Sequence, residues 1–139
     1  DARRELRAAL RRGEPIAIIG DRDLACRGGT VSLFGAPMRI PVGPALLALE
    51  FGAPLHVASI RRVRGGYRML IETLPAPPDG PRRAQVGALL AELARSFERH
   101  IALAPEQWWT VLFPIWPFEP PRASGFPVIT PNSLWPFCQ

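Results

Sequence analysis

The sequence predicts an α/β fold, a mixed and mainly parallel sheet flanked by helices, from three observations. Residues 16–20 and 55–60 are short apolar runs bounded by turn residues, the pattern of strands that are buried on both faces. An apolar helix at residues 44–51 lies between them, and a helix between two strands is typical of a crossover in a parallel sheet. A longer amphipathic helix over residues 81–104 supplies a further layer.

The composition indicates one globular domain with a basic surface. The chain has 139 residues, 47% of them hydrophobic and 21% charged, which is enough to bury a core. Its net charge of +5 favours anionic partners such as phospholipid head groups, phosphorylated substrates or nucleic acid. Two cysteines do not make a disulfide framework, and neither a signal peptide nor an uncharged membrane-spanning run is expected.

The first helix and the first strand each allow two interpretations. Residues 1–12 form a basic amphipathic helix, ended by Gly13, that is either solvated or bound at a membrane surface. Asp21, Arg22 and Asp23 follow the strand at 16–20, where open α/β sheets place their ligands. The alternative for these three residues is an internal ion pair that caps the loop.

The middle of the chain alternates turn signals with apolar segments. A short strand is expected at residues 30–34 and ends in the Phe34-Gly35 turn. The helix at 44–51 begins after Gly43 and is so apolar that we expect it to be buried or to lie against lipid. Residues 55–63 and 67–74 form a hairpin with a strongly basic tip, which is either solvated or in contact with phosphate groups.

The long helix is expected to pack in the core, and no regular structure is expected for the proline-rich residues at the end of the chain. Apolar residues from Val86 to Ile101 repeat at helical spacing and form a core stripe. Residues 119–139 are a proline- and aromatic-rich tail that would suit either a membrane interface or ordinary packing against the domain.

Most familiar catalytic and ligand-binding patterns are absent from the sequence. His56, His100, Cys26 and Cys138 are scattered, so no metal site and no cofactor are predicted. His56 alternates within an apolar strand and is expected to be a core or edge histidine, whereas His100 suits the C-terminus of its helix. Bases and aromatic residues occupy different parts of the chain, which argues against a nucleic-acid module.

Several short segments stand in one order along residues 5–117: Gly20-Asp21-Arg22-Asp23, Phe34-Gly35-Ala36-Pro37, residues 41–49, Gly52-Ala53-Pro54 and Pro105-Glu106-Gln107-Trp108. In this order and spacing the chain resembles the second half of the bacterial lipid A biosynthesis acyltransferase family, which includes the phosphatidylinositol mannoside acyltransferases of actinobacteria. The resemblance implies that residues 1–118 are the C-terminal half of an acyltransferase-like domain and that the tail at 119–139 lies outside it.

The resemblance also implies a fold, an activity and a location. The fold would be part of an αβα domain related to the glycerol-3-phosphate acyltransferases, lying peripherally on the cytoplasmic face of the bacterial inner membrane. The activity would transfer a fatty acyl group from acyl-CoA or acyl carrier protein to a hydroxyl of a glycolipid. The anionic membrane surface would be a further partner, and nucleic acid would not.

The catalytic motif of the family, H-x-x-x-x-D/E, does not occur in this chain. Five residues beyond His56 is Arg61, and five residues beyond His100 is Pro105. Such a motif supplies a general base and the carboxylate that holds it. We therefore expect a fragment or truncated member that contains no catalytic residue, with the motif upstream in the family. Losing half of such a domain predicts poor solubility or a dimer.

The resemblance assigns a set of positions to substrate binding. Three of them face the cleft, two form a turn, one is a candidate for a phosphate or sugar, and one opens the apolar helix: Asp21, Arg22, Asp23, Phe34, Gly35, Arg39 and Gly43. The helix itself either lines the path of the acyl chain or packs in the core. Two rival functions remain, a non-catalytic lipid- or partner-binding protein of the same fold and a basic nucleic-acid module.

Overall fold

The computed structural model describes residues 2–23 and 27–108. In these ranges the elements are α1 (Ala2–Arg11), β1 (Gly29–Leu33), β2 (Ala36–Ile40), α2 (Gly43–Phe51), β3 (His56–Val63), β4 (Gly66–Thr73), α3 (Arg82–Ala102) and a 3₁₀ turn (Pro105–Gln107). The predicted tail at 119–139 lies outside the described residues.

The prediction of a mainly parallel sheet is wrong. The four described strands form two separate antiparallel pairs, β1 with β2 and β3 with β4, so the architecture is α+β. The first pair exists because Phe34 and Gly35 both adopt positive φ angles, 49° and 78°, and reverse the chain within two residues. Residues 36–40, for which no strand is predicted, therefore return beside β1 as β2.

The strand predicted at residues 16–20 is also absent. These residues belong to no helix or strand, and their side chains are not buried, with Ile18 40% exposed and Ile19 79% exposed. An apolar run shows that a segment needs apolar surroundings, but it does not show that the backbone has a neighbouring strand to pair with. The crossover inferred from this strand fails for the same reason.

The hairpin predicted from the basic tip is confirmed. β3 and β4 pair from His56↔Thr73 to Val63↔Gly66, and the turn between them is Arg64-Gly65. The burial predicted for its first strand is only half right. Val57 is 5% exposed but Ile60 is 62% exposed, because α3 contacts one face of the hairpin only. The other face carries apolar side chains that the described part of the protein leaves uncovered.

The core forms where α3 crosses the first hairpin. Leu33 and Ile40 are fully buried and Met38 nearly so, against the predicted stripe of α3, of which Leu89, Leu90 and Leu93 are buried. α2 is less buried than its composition predicts, since within it only Ala45 is classed as buried. In the described ranges, no helix combines the length and the apolarity that crossing a bilayer requires.

Candidate functional site

A cavity of about 1160 Å³ lies between the extended segment at residues 14–21, α2, β3 and α3. Most of its lining is apolar, contributed by residues such as Ile16, Leu47, Val57, Leu93 and Phe97. A few polar side chains border it, namely Asp21, Ser59, His100 and Gln107. An apolar cavity of this size with a few convergent polar groups is the usual form of a binding site for an apolar small molecule.

Two ion pairs lie at the start of the extended segment that lines this cavity. The Arg12 guanidinium donates from Nε and Nη2 to the two Glu14 carboxylate oxygens, at 2.6 and 2.8 Å, and lowers the pKa of Glu14. Arg7 of α1 pairs with Glu50 of α2 at 2.9 Å. These exposed ion pairs connect α1 to α2 and to Glu14, the residue at which the segment that lines the cavity begins.

The far end of the segment is held by the residues after α3. Trp108 Nε1 donates to Asp21 Oδ2 at 3.1 Å, and Arg22 Nε lies 3.7 Å from Asp21 Oδ1. Gln107 bonds to both backbone groups of Arg62, accepting at 2.7 Å and donating at 3.1 Å. Because Gln107 bonds to β3 and Trp108 to the extended segment, this stretch connects two walls of the cavity.

Asp23 and Arg39, both predicted to bind substrate, meet each other. The Asp23 carboxylate is 8% exposed, accepts the backbone N–H groups of Arg27 and Gly28 at 3.2 and 2.6 Å, and lies 3.6 Å from Arg39 Nε. Arg39 also donates to the Gly28 carbonyl at 3.1 Å, while its side chain stays 54% exposed. Asp23 therefore binds the backbone just before β1 at Arg27 and Gly28, and the Arg39 guanidinium remains accessible to solvent.

The other predicted site residues lie apart from this pair. Phe34 and Gly35 form the turn between β1 and β2, where the Phe34 N–H donates to Glu98 Oε1 at 2.6 Å. Gly43 is the first residue of α2, and an added Cβ there would meet nothing within 4 Å. Of the seven predicted positions, Asp21 lines the described cavity and the other six do not. Their roles in substrate binding stay predictions.

Sequence reasoning did not find a polar cluster that borders the cavity. His100 Nδ1 lies 2.8 Å from Ser59 Oγ, and His100 Nε2 lies 3.3 Å from Glu72 Oε2. Ser96 donates to Glu72 Oε2 at 2.7 Å and Arg99 donates to the other oxygen. The two donors, with Arg99 making the larger contribution, lower the pKa of Glu72.

A signal for this cluster was present in the sequence. Ser59 shares a strand face with the buried Val57, and Ser96 and His100 stand one turn apart in the apolar stripe of α3. Polar residues inside apolar patterns need partners, and Glu72 is the carboxylate that interrupts the apolar β4. The pairing of the two elements, however, depends on how α3 crosses the hairpin, which local pattern does not specify.

The described residues thus define a small α+β unit whose candidate site is an apolar cavity with a polar border. A sequence profile for bacterial lipid A biosynthesis acyltransferase matches residues 1–116. A phosphatidylinositol mannoside acyltransferase of Mycobacterium tuberculosis is 34% identical over 107 residues, which cover 77% of this chain and 32% of the relative. The corresponding protein of Mycolicibacterium smegmatis is 34% identical over 102 residues, with 73% and 32% covered.

The chain belongs to the bacterial lipid A biosynthesis acyltransferase family. This membership confirms the resemblance drawn from the short ordered segments between Gly20 and Trp108. The chain spans about a third of the length of the curated relatives that it matches.

Proposed function

We propose that the chain binds the acyl chain in a membrane-associated acyltransferase that moves a fatty acyl group to a hydroxyl of a glycolipid. The donor is acyl-CoA or acyl carrier protein, and the acceptor is of the lipid A or phosphatidylinositol mannoside type. The family membership supports acyl transfer as the reaction class, and the names of the mycobacterial relatives support the acceptor.

The observation that carries this proposal is the apolar cavity. Its volume of about 1160 Å³ and its apolar walls suit a long hydrocarbon chain, which gains about 0.8 kcal/mol for each CH₂ group that it buries. Asp21, His100 and Gln107 offer polar atoms at its border, where the polar end of an acyl donor would lie. The helix α2 contributes Leu47, Ala48 and Phe51 to the wall, in agreement with its proposed place along the acyl path.

Displacement of a fluorescent long-chain fatty acid tests this use of the cavity. Ala48 lines the cavity from α2, so Ala48→Trp is expected to obstruct part of it and to weaken binding at least tenfold. Ala84→Trp is the matched control, because Ala84 is exposed on α3 outside the cavity lining. Equal loss in both variants, or tight binding in Ala48→Trp with a folded circular dichroism spectrum, would remove the cavity as the acyl site.

We also propose that the β3–β4 hairpin contacts an anionic membrane on the cytoplasmic face of the bacterial inner membrane. Two features support this position. Ile60, Met69 and Ile71 are 58–62% exposed on one face, of which Ile60 and Ile71 also belong to the lining of the cavity, and no carboxylate occurs between Glu50 and Glu72. Four arginines lie within the hairpin, at positions 61, 62, 64 and 68. Exposed apolar side chains beside unopposed positive charge are the combination that interfacial elements use.

Vesicle flotation in parallel on anionic and neutral phospholipids tests this contact. The double variant Arg64→Glu/Arg68→Glu is expected to lose most binding to anionic vesicles, and high salt is expected to do the same. Arg83→Glu, an exposed position on α3, is the single-site control and should bind nearly as the parent protein does. Binding that is unchanged in the double variant, or equal on neutral vesicles, would contradict a charge-dependent contact.

A second candidate is lipid binding without catalysis, which is favoured by the absence of the H-x-x-x-x-D/E spacing from these 139 residues. The two functions separate in one assay, in which labelled acyl-CoA and a mannosylated phosphatidylinositol are incubated with the chain. Acylated glycolipid indicates a transferase. Saturable fatty-acid binding with no product indicates the binding function. If neither binding nor product is observed, the cavity has no role in lipid chemistry.

A further inference from the structure

The outer side of β4 is an open edge of its sheet. Among the described strands β4 has one neighbour, β3, so its other side faces no strand. Within the described ranges, the backbone groups on that side also make no hydrogen bond to a loop or to a side chain. A row of unpaired N–H and C=O groups is a template on which another strand can pair.

Two contacts of the hairpin show which residues of β4 point outwards. The Leu74 N–H donates to the Leu55 carbonyl at 2.9 Å, so these two residues bond to each other. Arg62 instead directs both of its backbone groups to Gln107, away from β4. Because antiparallel partners alternate between these two arrangements, every second residue of β4 directs its N–H and C=O groups away from β3. These outward residues are Tyr67, Met69, Ile71 and Thr73.

β4 lacks most of the features that protect an edge strand. It has eight residues, contains no proline, and pairs with β3 in one continuous register without a bulge. Gln107 occupies part of the free edge of β3, and no described side chain does the same for β4. The charged residues of β4 are Arg68 and Glu72, which stand two positions to either side of Leu70. Two opposite charges placed symmetrically are complementary to the same two charges on an identical strand.

We propose that β4 pairs with β4 of a second copy of this chain, antiparallel and about a twofold axis at Leu70. The two hairpins then form one four-stranded sheet. Met69 of each copy lies opposite Ile71 of the other, so that outward backbone groups meet as hydrogen-bonded pairs. Arg68 of each copy lies opposite Glu72 of the other. Both copies contribute the same surface, as a contact with twofold symmetry requires.

Charge selects this register among those that the backbone allows. Outward residues have to face outward residues, which leaves a small set of positions for the axis. An axis at Met69 places Arg68 opposite Leu70, and an axis at Ile71 places Glu72 opposite Leu70. Both shifts break the two ion pairs, whereas the axis at Leu70 forms both of them. A register that pairs opposite charges is more stable than one that leaves them opposite an apolar side chain.

The surroundings of the β4 edge leave room for a second copy. α3 packs on β3 rather than on β4, and Leu70 remains 40% exposed. Glu72 is held by Ser96 and Arg99, but its side chain is still 30% exposed and can accept a further donor. In the antiparallel arrangement the two copies of Arg64 lie about 40 Å apart at roughly 3.4 Å per residue, well beyond the range over which salt leaves charges unscreened.

The pairing keeps the outer faces of both hairpins on one side of the sheet. The twofold axis runs perpendicular to the sheet, so the exposed side chains of Ile60, Met69 and Ile71 in both copies point in the same direction. The surface proposed for membrane contact is thereby extended, although the pairing does not depend on that contact. The cavity takes its hairpin lining from residues 55–61 and, within β4, from Ile71 alone, so the β4 edge is separate from most of it.

Disulfide formation at the axis tests the pairing and its register together. Two copies of residue 70 form a non-hydrogen-bonded pair, whose Cα atoms are about 4.5 Å apart and within reach of a disulfide. In a Cys26→Ser/Cys138→Ser background, Leu70→Cys is expected to give a covalent dimer on mild oxidation, read by non-reducing electrophoresis. Met69→Cys is the matched control and should remain largely monomeric, since Met69 faces Ile71 of the second copy. Equal cross-linking of both variants, cross-linking of Met69→Cys alone, or none in either would overturn the proposal.

Sedimentation velocity in the absence of lipid tests the ion pairs and the edge. The parent protein is expected to be a dimer, and Arg68→Glu should raise its dissociation constant at least tenfold, because like charges then lie opposite each other at both sites. Met69→Pro should do the same, since it removes an outward N–H but no hydrogen bond of the hairpin itself. Arg83→Glu, at an exposed position of α3, makes the same charge change and should stay within twofold of the parent. A monomeric parent, or a dimer that tolerates both edge variants, would contradict the pairing.

The outcomes separate this proposal from the proposed membrane contact. A dimer in solution that does not bind anionic vesicles would support the pairing and overturn the membrane contact. Vesicle binding by a chain that stays monomeric and does not cross-link at Leu70→Cys would overturn the pairing and leave the membrane contact intact.

Discussion

The two hairpins of this protein share the same antiparallel pairing but differ in how much of their apolar side-chain surface is buried. The β1–β2 hairpin has five residues in each strand and buries Leu33, Met38 and Ile40 against α3. The β3–β4 hairpin has eight residues in each strand and leaves Ile60, Met69 and Ile71 more than half exposed. The short hairpin is therefore part of the core, while the long one packs one face on α3 and leaves large apolar side chains of its other face more than half exposed.

This difference also determines where polar side chains border the cavity. The inner face of β3–β4 carries Ser59 and Glu72 to His100 of α3, whereas the turn of β1–β2 contacts α3 through Glu98. The hairpin that is less buried is thus the one with polar groups at the cavity border. Ser96 and His100 are buried there, so their polar atoms depend on Glu72 and Ser59 as partners rather than on water.

Truncation of one apolar residue in each hairpin should give the largest contrast. Leu33→Ala is expected to lower the free energy of unfolding by about 2–5 kcal/mol, because it leaves a cavity in the packed core. Ile71→Ala, at a side chain that is 59% exposed, should change it by about 0.5 kcal/mol or less. Urea denaturation of both variants measures the contrast. Equal losses would mean that the outer face of β3–β4 is buried in solution.

Addition of a methyl group to one glycine of each hairpin region should give a smaller contrast. A Cβ on Gly28 would lie 2.3 Å from the Ile40 carbonyl oxygen and 2.7 Å from Asp23 Oδ2, so Gly28→Ala should destabilise by about 1–3 kcal/mol. Gly65→Ala meets no atom within 4 Å and costs about 1 kcal/mol for its φ of 85°. Thermal unfolding with a larger loss for Gly65→Ala would contradict this order.

Acid titration of the long hairpin should give the smallest effect. The Arg99 and Ser96 contacts hold the pKa of Glu72 below its ordinary value of 4.5. A lowered pKa in the folded state stabilises the protein above pH 4.5, and that stabilisation is lost as the pH falls through the lowered pKa. Glu72→Gln should therefore flatten the pH dependence of unfolding in acid, and Glu92→Gln, on an exposed α3 pair with Arg95, should flatten it less. An identical acid profile in the parent protein and Glu72→Gln would show that this contact does not stabilise the fold.

The sequence by itself determined the helices, the second hairpin and the family. Helical spacing fixed α3 and its core stripe, Gly43 and Gly52 bounded α2, and the basic turn at Arg64-Gly65 located β3 and β4. These features follow from local rules of periodicity and backbone freedom, so neighbouring residues were enough to predict them.

Only the tertiary structure decided the sheet arrangement and the composition of the site. An apolar run such as residues 16–20 predicts a preference for apolar surroundings, but it does not specify whether the backbone pairs in a sheet or only borders a cavity. The contacts of Ser59 with His100 and of Asp21 with Trp108 join residues 41 and 87 positions apart. Such contacts are set by how α3 packs on the hairpins, a property of the whole chain that no local pattern contains.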